Sequence, residues 1–182
     1  MVRSEGEPGI QTALIVPIAA AEPVVAEHRQ RLDPAAAWGV PAHVTVLFPF
    51  LPPARLTDSV LDRLDLALRS VPAFDCVLGR TRWFGDDVLW LAPDPDDSFR
   101  RLTAAVWLAF PECPPYQGAH PEPVPHLTIG DRRGGASVDA LRSAQTAVSP
   151  ELPILAAVHA VLLMEGTEAP DSWRTVREFT LH

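Results

Sequence analysis

Two stretches decide how this chain reads: Pro41-Ala42-His43-Val44-Thr45-Val46-Leu47-Phe48-Pro49-Phe50 and Pro125-His126-Leu127-Thr128-Ile129. Each carries His-x-Thr-x with apolar x, close behind a proline. The runs His43–Phe50 and His126–Ile129 are rich in β-branched and apolar residues and read as strands. Side chains alternate across a strand, so a His and a Thr two apart share one face. Val44, Val46, Leu127 and Ile129 share the other face and suit a core. Two such strands brought side by side place two imidazoles and two hydroxyls around one cavity. Imidazole titrates near neutral pH, so one can serve as base and the other as acid. The hydroxyls can hold oxygens of a tetrahedral group. The set suits in-line displacement at phosphorus without a metal. A single His-x-Thr is a weak signal in a chain with six His; two in matching contexts are not.

The flanking sequence supplies a scaffold. Thr12–Ile18 reads as a strand and Glu22–Leu32 as a helix with Pro23 in its first turn. Asp33–Val40 reads as a loop. Thr57–Val71 is amphipathic, with Leu56, Val60, Leu61, Leu64 and Leu68 at helical spacing and Thr57 as N-cap. Phe74–Phe84 and Val88–Leu91 read as a hairpin around Gly85-Asp86-Asp87. A second amphipathic helix covers Phe99–Phe110, with the acidic run Asp94–Asp97 at its solvated start. Pro111–Pro125 holds six prolines in fifteen residues and reads as a stiff loop without regular structure. Ser137–Val148 reads as a third helix on its Leu141 and Ala144 side. Ile154–Met164 and Trp173–Leu181 read as closing strands. The order is that of an α+β fold with helices covering sheets, although strand–helix alternation alone also permits a parallel sheet. No glycine-rich turn follows the first strand, which leaves a dinucleotide or P-loop site without support.

The 182 residues are enough for one domain, expected over 12–182 behind a flexible tail at 1–11. The net charge is −8 and all fifteen basic residues are Arg. An acidic chain lacks the broad basic face that holds long duplex nucleic acid. Cys76 and Cys113 form no CxxC pattern, so a reduced, cytoplasmic setting is expected. Thr12–Ala21 is apolar, but Glu5 and Glu7 precede it and Pro17 interrupts it, so a buried strand is preferred over a signal peptide. No run approaches a membrane-spanning length.

At the two motifs the sequence resembles the two-histidine (2H) phosphoesterase superfamily, in its 2′-5′ RNA ligase-like branch. The flanks Gly39-Val40-Pro41-Ala42 and Pro114-Pro115-Tyr116 and the strand pair Arg82–Leu91 fit the same resemblance. It spans about Thr12 to Leu181. It implies a bilobal fold with a pseudo-twofold, in which antiparallel sheets enclose a central groove and helices lie outside. It implies an enzyme that opens 2′,3′-cyclic phosphates to 2′-phosphates, and it allows 2′-5′ RNA ligase-like chemistry. His43 and His126 would then be the catalytic acid–base pair, and Thr45 and Thr128 would bind phosphate oxygens. The acidic balance points to a small nucleotide or an RNA end as substrate, and a monomer with no cofactor, no metal and no membrane is expected. Several relatives place an Arg five residues after the second His. Here Asp131 stands there, with Arg at 132 and 133, and Arg132 is the candidate for that role.

Other residues are open to two readings. Tyr116, Phe48 and Trp38 flank the motifs and could contact substrate, though Phe48 equally suits a core. Trp83 and Trp90 suit core or groove wall, and Trp107 suits the core. Arg80 and Arg82 share a strand face that is either solvated or turned toward a phosphate. His120, His126 and Glu122 would be the donors if the protein were instead a metal-dependent hydrolase. A non-catalytic binder of cyclic or terminal phosphates is the other alternative. His28 and His159 read as structural.

Overall fold

The computed structural model describes residues 9–120 and 122–182, so most of the expected N-terminal tail lies outside the described residues. In chain order the elements are β1 (Gln11–Pro17), α1 (Glu22–Leu32), the short α2 (Pro34–Ala37), β2 (His43–Leu47), α3 (Asp58–Leu68), β3 (Phe74–Phe84), β4 (Val88–Asp94), α4 (Asp97–Ala109), β5 (Leu127–Asp131), α5 (Val138–Val148), β6 (Ile154–Val158), β7 (Ala160–Gly166) and β8 (Arg174–Thr180). They form two four-stranded sheets, ordered β2-β1-β7-β8 and β5-β4-β3-β6. Every described pairing is antiparallel, which settles the parallel alternative. Strand, helix and motif strand follow one another twice, as β1–α1–β2 and β4–α4–β5. Each motif strand ends as the edge of its sheet.

The inner faces of both sheets drain into one core. Val44 and Val46 of β2 and Leu127 and Ile129 of β5 enter it together with Val25 of α1, Leu64 of α3, Phe99 of α4 and Leu141 of α5. The helices sit where their caps and stripes put them. Thr57 accepts the Val60 N–H, and Ser137 accepts the Ala140 N–H. On α4 the buried stripe is Phe99, Leu102 and Val106. Trp107 falls one position off that stripe and is 40% exposed, so it is not a core residue. Among the described residues no helix is long and apolar enough to cross a membrane.

Three local differences from the sequence expectation have physical causes. The Asp33–Val40 segment is not all loop. Asp33 caps α2 by accepting the Ala35 N–H at 3.1 Å, and Pro34 occupies its first turn. The Pro-rich segment contains one tight 3₁₀ turn at Pro115–Gly118, closed through left-handed Tyr116 and Gln117. The run Ile154–Met164 breaks at His159, where β6 leaves to pair with β3 and β7 goes to pair with β1. The buried positions change phase there, from 154, 156 and 158 to 161 and 163, but apolar residues also fill the other face (Leu155, Ala157, Leu162), so the sequence does not show it.

A bulge in β3 changes which side chains face outward. Upstream of Gly79, Cys76 and Leu78 enter the core. The register with β4 shifts between Leu78 and Arg80. Beyond the shift, Trp83 packs on the core and Thr81 bonds to Gln145 of α5. Arg80, Arg82 and Phe84 consequently lie on the opposite face.

The crossing of α1 over β5 is tight. A Cβ on Gly130 would stand 2.4 Å from Leu141 Cδ2 and 2.8 Å from Leu32 Cβ. Gly130→Ala is therefore expected to cost about 1–3 kcal/mol through overpacking. Urea unfolding should show a lowered midpoint with an unchanged m-value; a wild-type midpoint would mean the helix can shift away at no cost.

Candidate active site

The two imidazoles are held in the same way. His43 Nδ1 lies 2.7 Å from the Pro41 carbonyl, and His126 Nδ1 lies 2.7 Å from the Val124 carbonyl. A carbonyl only accepts, so Nδ1 carries the proton in both rings and Nε2 is left as the basic nitrogen. Each acceptor sits two residues before its histidine. Pro125 keeps Val124 extended for this purpose. Thr45 and Thr128 follow two residues after each histidine, half-buried between fully buried neighbours.

A groove of about 430 Å³ opens over the second motif, walled by Phe84, Tyr116, Val124, His126, Thr128 and Arg133. The His126 ring meets Phe84 edge-on at 5.0 Å and Trp90 at 5.9 Å, and these two aromatics stack on each other at 4.6 Å. Tyr116 links this groove to the first motif. Its backbone N–H reaches the Phe48 carbonyl at 2.7 Å, and its phenol lies near enough to Thr45 for that side chain to favour the phenolate against the effect of burial. Its φ of 51° is uncommon for a residue with a side chain and marks a position held by its surroundings. Both motifs and Tyr116 thus converge on one place.

A sequence model of the 2′-5′ RNA ligase superfamily matches residues 16–170. The chain belongs to this superfamily. Among solved structures, it is similar to the TT0787 protein of Thermus thermophilus, at 18% identity and a TM-score of 0.64, over 94% of this chain and 97% of that one. Escherichia coli LigT bound to 3′-AMP gives 18% identity and a TM-score of 0.58, over 96% and 99% of the two chains. LigT bound to NADP+ gives 18% and 0.57, over 97% and 99%. At this identity the likeness establishes the fold. A search of curated proteins found no match.

Within this superfamily fold, the sequence-predicted residues separate into two groups. Tyr116, His126 and Thr128 line the groove, while His43 and Thr45 lie behind its wall, close enough for His43 to feel His126 and for Thr45 to act on the Tyr116 phenol. Arg132 does not line the groove: it is bound to the hairpin turn, with its Nη1 on Asp87 Oδ1 at 3.1 Å and its N–H on the Asp87 carbonyl. Arg133 lines the groove instead, held by Asp131 through Nε at 2.9 Å. The i, i+2 spacing of Asp131 and Arg133 was the available signal. Phe48 packs beside Trp173, and Trp38 ends α2 with its carbonyl on the Trp173 N–H. Neither lines the groove. His120 and Glu122 do line it. Among the described residues no three His, Cys, Asp or Glu side chains converge on a point that could hold an ion.

Sequence reasoning missed the ion pair behind the histidines. Arg29 of α1 meets Asp33 at 2.9 Å, with both side chains almost wholly buried. Arg29 Nη1 also donates to the Val40 carbonyl, just ahead of the first motif. Burial pushes Asp33 up from the usual carboxylate range, against the pull of Arg29. His43 is pushed down to about 3, first by its burial and then by the Arg29 cation. His126 is also lowered, chiefly by burial; Arg133 adds to this, while the Val124 carbonyl and the Asp33 carboxylate oppose it.

Arg29→Leu would leave Asp33 as a buried carboxyl without its partner. It should destabilise the fold by about 3–5 kcal/mol, and Arg29→Leu with Asp33→Leu should recover much of that loss. Denaturant unfolding of the three proteins checks this, and a double variant no better than the single would refute it.

Proposed function

We propose that the protein opens 2′,3′-cyclic phosphates of nucleotides or RNA ends to 2′-phosphates. The observation that supports this best is the matched pair of imidazoles, each braced through Nδ1 and each followed by its threonine on the same strand face. One Nε2 takes a proton from water as the water oxygen attacks phosphorus. The bond from phosphorus to the 3′-oxygen breaks, and the other imidazolium returns a proton to that oxygen. Thr45 and Thr128 hydroxyls donate to the non-bridging oxygens, with Tyr116 bridging the two motifs at Thr45. Replacing the water by a hydroxyl of a second RNA end gives a 2′-5′ linkage through the same displacement. The nucleotides bound to LigT in its crystal structures support a substrate of this class.

Either His43→Ala or His126→Ala should lower kcat on nucleoside 2′,3′-cyclic phosphates by about 10²–10⁴-fold. Turnover by the wild type should persist in chelator. Retention of activity in either variant would end the two-histidine reading.

The pH dependence follows from the sign of the shifts. Both imidazoles titrate below their usual 6.5 in the free protein, so both are neutral at higher pH. The reaction needs one of them protonated. kcat/KM reports the free enzyme, and it should fall about tenfold per pH unit as pH rises above the ordinary imidazole range. kcat, measured with phosphate bound, should hold to higher pH because a neighbouring anion favours imidazolium. A kcat/KM profile flat from pH 5 to 9 would refute this assignment.

A further inference from the structure

The groove face of the second sheet continues past the catalytic strand, and three rows of side chains cross it. His126 and Thr128 form the first, at β5. Val88, Trp90 and Ala92 of β4 form an apolar second row, joined by Phe84. Arg82 and Arg80 of β3 form the third. The register fixes this order: Thr128 stands opposite Trp90, Trp90 opposite Arg82, and Ala92 opposite Arg80. Two interstrand steps put the Arg82 backbone about 10 Å from that of Thr128. The bulge at Gly79 is what turns both arginines to this face rather than toward the core.

These rows enclose a second cleft of about 300 Å³, lined by Arg80, Arg82, Trp90, Ala92, Asp94 and Val124 among others. Val124 also lines the groove over His126, and the Trp90 ring meets the His126 ring at 5.9 Å, so the two spaces adjoin. Neither arginine has a carboxylate partner among the described residues, whereas most of the other arginines do. Two acids border the same cleft. Asp96 is taken by Arg100 at 2.8 Å, which leaves Asp94 facing two guanidinium groups. Trp90, 5% exposed, gives this wall an apolar floor; its indole N–H is buried without an acceptor, an unusual state for a donor.

We propose that Arg80 and Arg82, with Trp90 beneath them, form a subsite for a second phosphate of the same substrate: the phosphodiester preceding the terminal nucleotide of a single-stranded RNA end. The inference rests on the proposed function and deepens it, making an RNA end the preferred substrate over a mononucleotide. The apolar row lies under the sugar and base that separate the two phosphates. Arginine matches a phosphodiester through its fork of N–H donors.

The test compares kcat/KM for adenosine 2′,3′-cyclic phosphate, the same compound with a 5′-phosphate, and the diadenosine dinucleotide ending in a 2′,3′-cyclic phosphate. For the wild type the dinucleotide should lead the unphosphorylated mononucleotide by about tenfold or more. Added salt should narrow the lead. Arg80→Gln with Arg82→Gln should bring the two substrates level, while Arg142→Gln, an exposed arginine on α5, should keep the lead. Equal wild-type values, or a lead that survives the double variant, would overturn the subsite. An advantage for the 5′-phosphorylated mononucleotide with none for the dinucleotide would overturn the RNA assignment. Wild-type turnover of none of the three would instead overturn the proposed function. Calorimetric binding of the dinucleotide 3′-phosphate then reads the subsite directly. A tenfold weaker affinity in the double variant supports it and an unchanged affinity refutes it.

Discussion

The site depends on two edge strands from different sheets burying their apolar faces in one core. Val44 and Leu127 are completely buried there, with Val46 and Ile129 beside them. Once these four are inside, the period of two leaves no choice for the residues between them. His43, Thr45 and Thr128 must turn the other way, and His126 follows at the mouth of β5. Burial of aliphatic side chains, which is non-directional, thus does the positioning for groups whose chemistry is demanding.

Local geometry makes the histidines alike, and their surroundings make them different. Both donate Nδ1–H to a carbonyl two residues back at the same distance. Behind them, the buried Arg29–Asp33 pair lies with its cation influencing His43 and its anion influencing His126. The acid–base reaction proposed for them would need their proton affinities separated. A fixed dipole on one side of the pair is an economical way to separate them, because it requires no further residue in the groove.

Much of this was legible in the sequence because it is local. The boundaries of α1 and β3 coincide with their reading from spacing and turn residues, the first His-x-Thr motif sits on β2, and β5 starts one residue after His126 of the second. What could not be read depends on partners distant in the chain. Arg132 and Arg133 are adjacent and chemically equal, and only the position of Asp87 in the hairpin draws the first away. Trp38 and Phe48 flank the first motif in sequence, yet Trp173 from the last turn claims both. Apolar residues on both faces of Ile154–Met164 hide the change of phase by which its halves serve different sheets. Asp33 became a helix cap and a buried counter-ion at once, a double role that its place in a loop-like segment concealed.

That division of Ile154–Met164 also sets an order of events. The second sheet is assembled from one continuous stretch, β3 to β6, whereas the first joins β1 and β2 to β7 and β8. During synthesis the ribosome therefore delivers every strand of the second sheet before the first has more than two. A two-stranded ribbon is marginal on its own, so β2 with His43 waits on β1 until the end of the chain emerges. The two sheets thus become complete at different points of synthesis, the second before the first.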